Sequence, residues 1–150
     1  MAKLVEWLSD ISYDTLQGNP AGSSVLEVVF DSRKAAPNTV FVCVKGANID
    51  SHKYIPDVIT KGCTSIVVEE DLTEAGIDKT AVNEDVTIIK VKNSREALAK
   101  LSAARFGHPS EELTVIAITG TKGKTTTAHM IHQILETAGI KAGCIGTTGV

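Results

Sequence analysis

The sequence predicts an α/β fold in two parts: a small N-terminal α/β domain at residues 1–112 and the truncated start of a doubly wound domain at 113–150. In the first part, short apolar runs alternate with segments of helical periodicity, as strands and helices do around one sheet. The small, polar, proline-containing segment 107–112 separates the parts. The second part has only two apolar runs, too few for a complete doubly wound sheet, so we expect an N-terminal piece of a longer protein.

Composition is typical of a globular protein. The 150 residues are 43% hydrophobic, which is enough to build a core. The net charge of −3 is spread over both signs, which predicts no nucleic-acid surface, and no apolar run approaches the length of a membrane span. Cys43, Cys63 and Cys144 are widely spaced among apolar residues. We therefore expect buried, reduced thiols in a cytoplasmic protein rather than a metal site.

Strands and connections follow in order along the first part. Leu4, Leu8 and Ile11 recur at helical spacing and predict a short N-terminal helix. The stretches 12–23 and 69–85 are polar and predict connections. Apolar runs bounded by turn residues predict four strands, at Val25–Phe30, Val40–Val44, Ser65–Val68 and Val86–Val91.

Two further helices are predicted before the boundary. Pro56 suits the first turn of a short helix, and Gly62 suits the residue after its end. Asn93 and Glu96 stand at capping-box spacing ahead of a helix that ends near Gly107.

The second part begins with the apolar run 115–118, which predicts a strand buried on both faces of a parallel sheet. A helix is predicted after the next turn, because five apolar residues recur at helical spacing: Ala128, Ile131, Ile134, Leu135 and Ala138. Gly139 is placed to end this helix in a left-handed conformation.

The turn between this strand and helix is Gly-Thr-Lys-Gly-Lys-Thr-Thr, residues 120–126. A loop that opens a helix presents unpaired N–H groups and the positive end of the helix dipole, which together hold phosphate. Lys124 adds a positive charge and Thr125 a hydroxyl for Mg²⁺. The common pattern G-x-x-x-x-G-K-[ST] would need its first glycine at Ile118, so this loop is a shorter form. Because a predicted strand and helix flank it, we predict a phosphate site rather than a structural turn.

The loop resembles the ATP-binding signature of the Mur ligase family, G-T-x-G-K-T-[ST] after a strand. Many members carry Asn at the position of Lys122. The resemblance implies ATP and Mg²⁺ as cofactors, with Lys124 as a catalytic residue and Thr125 as a metal ligand. The ATP-binding residues that it implies are Gly120, Thr121, Lys122, Gly123, Lys124, Thr125 and Thr126.

A second resemblance within this family covers the segment from Phe30 to Cys63. Its Asp-Ser-Arg turn, its following strand ending in glycine and its Asp-Ser-His element are similar to the UDP-binding N-terminal domain of the members that add the third residue of the peptidoglycan stem peptide. The substrate-binding residues that it implies are Ser32, Phe30, Ala47, Asn48 and Ile49. From the residues alone, a polar turn capped by Asp31 is the alternative. We expect His52 to be solvated or capping and His132 to lie on the polar side of its helix, neither being catalytic.

The resemblance implies an ATP-dependent ligase of peptidoglycan synthesis. It would join a diamino acid, lysine or diaminopimelate, to UDP-N-acetylmuramoyl-L-alanyl-D-glutamate through an acyl phosphate, and the present piece alone would be inactive. Two alternatives remain open. One is the family member that adds D-alanyl-D-alanine, whose loop usually begins Gly-Ser, whereas this loop begins Gly-Thr; residues 146–149 also favour the first assignment. The other is a non-catalytic nucleotide-binding module.

Overall fold

Most strands of the first unit belong to one main sheet. The computed structural model describes residues 1–46, 50–77 and 82–146, and the chain divides into two units, Met1–Glu112 and Leu113–Val150. The described strands of the first unit are β1 (Ala2–Lys3), β2 (Tyr13–Gln17), β3 (Ser24–Val25), β4 (Glu27–Val29), β5 (Thr39–Val42), β6 (Ser65–Val68) and β7 (Thr87–Val91). Its described helices are α1 (Leu4–Trp7), α2 (Ile55–Thr60), α3 (Ser94–Arg105) and α4 (Pro109–Glu112), and 3₁₀ turns lie at Ser32–Lys34 and Ser51–Tyr54.

The main sheet has the spatial order β2-β7-β6-β5-β4. Strands β4 to β7 are parallel, and β2 pairs antiparallel with the outer side of β7. Strands β5 and β6 are buried at every position, which explains why they are continuous apolar runs in the sequence. The carboxyl ends of the four parallel strands therefore lie along one edge of the sheet.

Apolar side chains cover the sheet on both faces. On one face, Phe41 and Ile66 belong to a buried cluster that also contains Ile55 and Val58 of α2. On the other face, Val42, Val67 and Ile89 share a buried cluster with residues of α1 and α3. The stretch 69–85, predicted as a polar connection, adds three residues to the first cluster: Leu72, Ile77 and Val82.

The four predicted strands are confirmed, with ends that differ by a few residues. The prediction that 12–23 is only a connection is wrong, because it contains β2. That strand lies at the edge of the sheet and buries none of its residues fully, so it lacks the apolar pattern of a central strand. The N-terminal helix is shorter than its periodicity suggested and ends at Trp7.

The predicted helices of the first unit are confirmed. Pro56 lies in the first turn of α2. At the start of α3, the side chain of Asn93 accepts hydrogen bonds from the N–H groups of Arg95 and Glu96, at 3.0 and 3.1 Å. The carboxylate of Glu96 pairs with Lys100 at 2.7 Å, so only the Asn93 half of the predicted capping box is formed.

In the second unit, the predicted helix is confirmed as α5 (Lys124–Thr137). Its end has the predicted glycine cap, since Gly139 has a φ of 76°. The N–H groups of Gly139 and Ile140 donate to the carbonyls of Glu136 and Leu135, at 3.0 and 2.9 Å, which is the Schellman arrangement.

The predicted buried strand at 115–118 is not present. Val115 and Ile116 are 70% and 56% exposed, and no strand is assigned among the described residues 113–146. A strand needs a hydrogen-bonded neighbour, and within these residues neither 115–118 nor 142–145 joins a ladder. None of the helices in the described ranges has the length and apolar character needed to cross a lipid bilayer.

Candidate functional site

The loop before α5 leaves the start of that helix open. Gly123, the residue before the helix, has a left-handed backbone with a φ of 78°. Because glycine has no side chain, the N–H groups of the first turn receive no side-chain cap. The first described backbone bond runs from the N–H of Thr127 to the carbonyl of Gly123, at 2.9 Å. The preceding N–H groups of residues 124–126 therefore have no backbone acceptor among the described residues. Since no acidic residue lies in the first turn, these donors and the helix dipole are available to an anion.

Lys124 folds back over this loop. Its ammonium donates a hydrogen bond to the carbonyl oxygen of Gly120, at 2.5 Å. The positive charge is thus tied to the backbone of this loop, although the side chain is exposed. Lys122 is exposed, and its ammonium has no hydrogen-bond partner among the described residues. The structure therefore distinguishes two lysines that lie two positions apart.

The donor set of the loop fits a polyphosphate. The loop and the first turn of α5 supply backbone N–H groups, the Lys124 ammonium and the hydroxyl-bearing residues Thr121, Thr125 and Thr126, with no carboxylate among them. Within the described parts of the chain, no group of three or more His, Cys, Asp or Glu residues could hold a metal ion. Magnesium commonly binds through one or two protein ligands and substrate phosphates, so Thr125 fits a supporting role.

The Asp-Ser-Arg turn follows β4 at the carboxyl edge of the main sheet. The carboxylate of Asp31 accepts the backbone N–H of Arg33 at 3.0 Å and pairs with the Arg33 guanidinium at 2.7 Å. The carbonyl of Ser32 accepts from the ammonium of Lys61 at 2.9 Å, while its hydroxyl has no partner among the described residues. The capping role of Asp31 is confirmed, and the Ser32 hydroxyl is left available to a ligand.

The Arg33 contact should be visible in the titration of Asp31. Hydrogen bonds from the Arg33 side chain and backbone lower the pKa of Asp31 from 3.8 to about 2. The stabilisation by this pair should be fully present above about pH 4 and lost as the pH falls toward 2. NMR titration of the side-chain carboxyl should show Asp31 still mainly ionised at pH 3. Arg33→Ala should raise its midpoint, and a midpoint near 3.8 in the unmodified chain would contradict the contact.

Phe30 and Ser32 lie together at the end of β4, and the ring of Phe30 is 60% exposed. Ala47, Asn48 and Ile49, which the resemblance also assigned to the substrate pocket, lie outside the described residues. Of the five predicted substrate-binding residues, the structure therefore places two, both at the carboxyl edge of the sheet.

Of the two roles expected of His52, solvated or capping, the solvated one is wrong. His52 is 1% exposed, and its Nδ1 lies 2.5 Å from a carboxylate oxygen of Asp50. Its Nε2 accepts the backbone N–H of Glu69 at 3.2 Å, so Nδ1 carries the proton that faces Asp50. The sequence places Asp50 and His52 close together but gives no sign of the contact with Glu69, which depends on the pairing of β5 with β6.

His132 was expected on the polar side of its helix, and it lies on the same side of α5 as Glu136. Its half-buried ring lies with Nε2 3.0 Å from the carbonyl oxygen of Ala142. The carboxylate of Glu136, one turn further along α5, accepts the N–H of Ala142 at 2.9 Å. The two side chains thus hold both backbone groups of Ala142 against the helix.

The cysteines are free. Cys43 and Cys63 are buried as predicted, whereas Cys144 is only half-buried. Burial raises the pKa of Cys43 far above its ordinary value, with smaller contributions from nearby Asp50 and Cys63. A thiol in this state is a poor nucleophile and metal ligand, which agrees with a packing role.

Two family profiles match the chain. Residues 25–106 match the profile described as "Mur ligase family, catalytic domain", and residues 118–150 match "Mur ligase middle domain". The UDP-N-acetylmuramoyl-L-alanyl-D-glutamate–2,6-diaminopimelate ligase of Clostridium perfringens is 44% identical over 140 residues, covering 93% of this chain and 27% of that protein. The ligase of the same name from Clostridium tetani is 40% identical, covering 97% of this chain and 29% of that protein. The chain thus spans less than a third of the length of these relatives.

Comparison with solved structures also finds Mur ligases. A MurF from Acinetobacter baumannii is 26% identical with a TM-score of 0.62, and the match covers 90% of this chain and 27% of that one. A MurF ligase from Thermotoga maritima in complex with ADP is 27% identical with a TM-score of 0.53, covering 77% of this chain and 24% of that one. With more than half of its length matched by the first profile alone, and its loop and sheet edge carrying the expected motifs, the chain belongs to the Mur ligase family.

Proposed function

We propose that the chain is part of an ATP-dependent ligase of peptidoglycan precursor synthesis that adds diaminopimelate to UDP-N-acetylmuramoyl-L-alanyl-D-glutamate. The observation that carries the proposal is the uncapped start of α5 with Lys124 folded over its loop. The names of relatives 40–44% identical to this chain support the choice of acceptor, and they favour diaminopimelate over lysine. A cytoplasmic location stays a prediction, supported by the free thiols.

In this proposal, residues 113–150 supply the start of the ATP site. The N–H groups of 124–126 would bind phosphate oxygens, together with the backbone of Gly120, Thr121, Lys122 and Gly123. Thr125 would hold Mg²⁺, and Lys124 would neutralise charge on the transferred group. Bound ATP supplies the phosphoryl group that activates the D-glutamate carboxylate. The solved relative in complex with ADP supports an adenine nucleotide as a ligand.

Residues 1–112 would bind the UDP-sugar at the carboxyl edge of the sheet, with Ser32 and Phe30 as contacts. Open α/β sheets commonly bind ligands at this edge. Ser32→Ala should weaken UDP-N-acetylmuramoyl-dipeptide binding about fivefold, because one hydroxyl partner is worth about 1 kcal/mol. Calorimetry on the complete ligase measures this change. Ser9→Ala, at an exposed serine after α1, is the matched control. Equal affinity in the Ser32 variant and the unmodified enzyme would remove Ser32 from the site.

A second candidate is the ligase that adds D-alanyl-D-alanine. It is favoured by one observation, since a solved relative bears the name UDP-N-acetylmuramoylalanyl-D-glutamyl-2,6-diaminopimelate–D-alanyl-D-alanyl ligase. That relative is 26% identical to this chain, against 44% for the diaminopimelate ligase of C. perfringens. The sequence identity therefore favours the first candidate.

Phosphate release by the complete ligase separates the candidates. The first predicts release that depends on diaminopimelate and UDP-N-acetylmuramoyl-L-alanyl-D-glutamate together. The second predicts release with D-alanyl-D-alanine and the corresponding tripeptide nucleotide. The isolated 150-residue chain is expected to release no phosphate with either set, because it spans less than a third of its relatives. Release with neither set by the complete protein would refute both.

A further inference from the structure

Asp50 is held in one orientation by a buried histidine. One carboxylate oxygen, Oδ1, accepts both the backbone N–H of His52, at 3.0 Å, and its ring Nδ1–H, at 2.5 Å. The ring cannot turn away without cost, because its Nε2 accepts the N–H of Glu69 and the side chain is buried. The side chain of Asp50 itself is 37% exposed. The partly exposed carboxylate of Asp50 is thus held in place by the buried side chain of His52.

The second oxygen of this carboxylate, here called the outward oxygen because His52 bonds only to the first, has no hydrogen bond among the described residues. Oδ2 lies 3.9 Å from the ammonium of Lys45, which instead bonds to the carboxylate of Glu70 at 2.6 Å. Burial alone would raise the pKa of Asp50, but the hydrogen bonds from His52 outweigh it and the pKa lies below its ordinary value. Asp50 is therefore ionised near neutral pH and offers one free acceptor among the described residues.

This acceptor lies at the same sheet edge as Ser32. Asp50 forms an antiparallel bridge with Lys45, which follows the carboxyl end of β5. Strand β5 is the parallel neighbour of β4, and Ser32 follows the carboxyl end of β4. A ligand bound along this edge beside Ser32 would therefore extend toward the end of β5.

The charges along the edge differ at its two ends. Beside Ser32 lie the cations Arg33, Lys34 and Lys61, the last of which donates to the Ser32 carbonyl. Two of these cations are paired, Arg33 with Asp31 and Lys61 with Asp57, so cations outnumber carboxylates by one. Beside Asp50 lie the carboxylates of Glu69 and Glu70 and the cations Lys45 and Arg95, so with Asp50 itself carboxylates outnumber cations by one. A diphosphate is therefore favoured at the first end over the second. A neutral group that donates hydrogen bonds suits the second, and the ribose of a nucleotide has two hydroxyl groups of this kind.

We propose that the outward oxygen of Asp50 accepts a hydrogen bond from a ribose hydroxyl of the UDP-sugar, and that His52 is the positioning residue that aims it. This inference rests on the proposed function and deepens it, because it assigns the nucleoside end of the same site. A carboxylate that contacts ribose hydroxyls at the carboxyl edge of a sheet has a precedent in dinucleotide-binding folds.

The substitution Asp50→Asn tests the outward oxygen selectively. Its amide oxygen can still accept both bonds from His52, which leaves the NH₂ group facing outward as a donor. The variant should therefore unfold within about 2 °C of the unmodified enzyme, since the inner bonds remain. Its affinity for UDP should fall about tenfold, because a charged acceptor is replaced by a donor. Asp71→Asn is the matched control, since that carboxylate is 40% exposed but bonds to Lys90 at 3.0 Å.

Calorimetry on the complete ligase should use UDP and its 2′,3′-dideoxy form. Loss of the hydroxyls should cost the unmodified enzyme about tenfold in affinity and the Asp50→Asn variant less than about twofold, so the two changes are not additive. Additive losses would overturn the inference. Unchanged or tighter binding of UDP by the Asp50→Asn variant would also overturn it, because that result is expected if removing the negative charge merely favours the diphosphate. If the unmodified enzyme binds UDP-N-acetylmuramoyl-dipeptide and Ser32→Ala weakens it, the proposed function survives that outcome. No UDP-sugar binding at all would refute both.

Discussion

Replacing Lys124 with alanine is expected to lower the turnover of the complete ligase by on the order of 10²-fold or more. The ammonium lies 2.5 Å from the Gly120 carbonyl oxygen, in the loop before α5. Charge on the phosphate oxygens shifts during phosphoryl transfer, and a cation already held at that place stabilises the transition state without first having to be positioned. Steady-state kinetics at saturating ATP measures the loss in turnover separately from nucleotide binding.

Lys122 provides the control within the same loop. Its exposed ammonium has no partner among the described residues, and a screened surface charge is worth less than about 1 kcal/mol. Lys122→Asn should therefore change turnover by less than about fivefold. Equal losses at the two positions would mean that the total positive charge of the loop, and not a placed lysine, serves the phosphates.

Phe41→Ala is expected to destabilise the first unit by about 3–5 kcal/mol. Phe41 is fully buried on β5, an interior strand of the sheet, opposite Val29 on one side and Ile66 on the other. Truncation would leave a cavity that these neighbours can fill only by moving the strands. Urea denaturation of the 150-residue chain, followed by tryptophan fluorescence, reports on this unit, because Trp7 is the single tryptophan and lies in the first unit.

Phe106→Ala makes the same chemical change at a surface position. That ring is 66% exposed, and the guanidinium carbon of Arg105 lies 5.1 Å from its centroid. We expect a loss of less than about 1 kcal/mol. If both variants lost stability equally, the packing around Phe41 would not be the source of the stability of this unit.

The central strands could be predicted because burial alone determines their residues. Strands β5 and β6 contact apolar layers on both faces, and their runs of Val, Ile and Phe show this without knowledge of the partners. Strand β2 could not be recognised in the same way, because polar residues such as the exposed Asp14 and the half-buried Gln17 also suit a loop. The opposite error occurred at 115–118, where an apolar run has no neighbour among the described residues and forms no strand.

The candidate sites show the same difference. The loop at 120–126 is contiguous, so its residue types and their order carry the whole signal. The Asp50 carboxylate is oriented by hydrogen bonds from His52. The ring of His52 is in turn held by the backbone N–H of Glu69, which strand pairing brings close from 17 positions away in the sequence. An isolated histidine among polar residues indicates neither burial nor the tautomer that it adopts. Such networks become visible only once the strand order is known.

The antiparallel pairing of β2 with β7 also affects how the protein is made. Tyr13 lies opposite Val91, so β2, the first strand of the main sheet, cannot pair with β7, the last one, until β7 has left the ribosome. During that interval β4, β5 and β6 can pair with one another, but the sheet still lacks both β7 and its antiparallel edge. Contacts so distant in sequence slow folding, because a long loop must close before the pairing is gained. Completion of the sheet is therefore expected only after about ninety residues have emerged, with β2 and β7 joining in the final step.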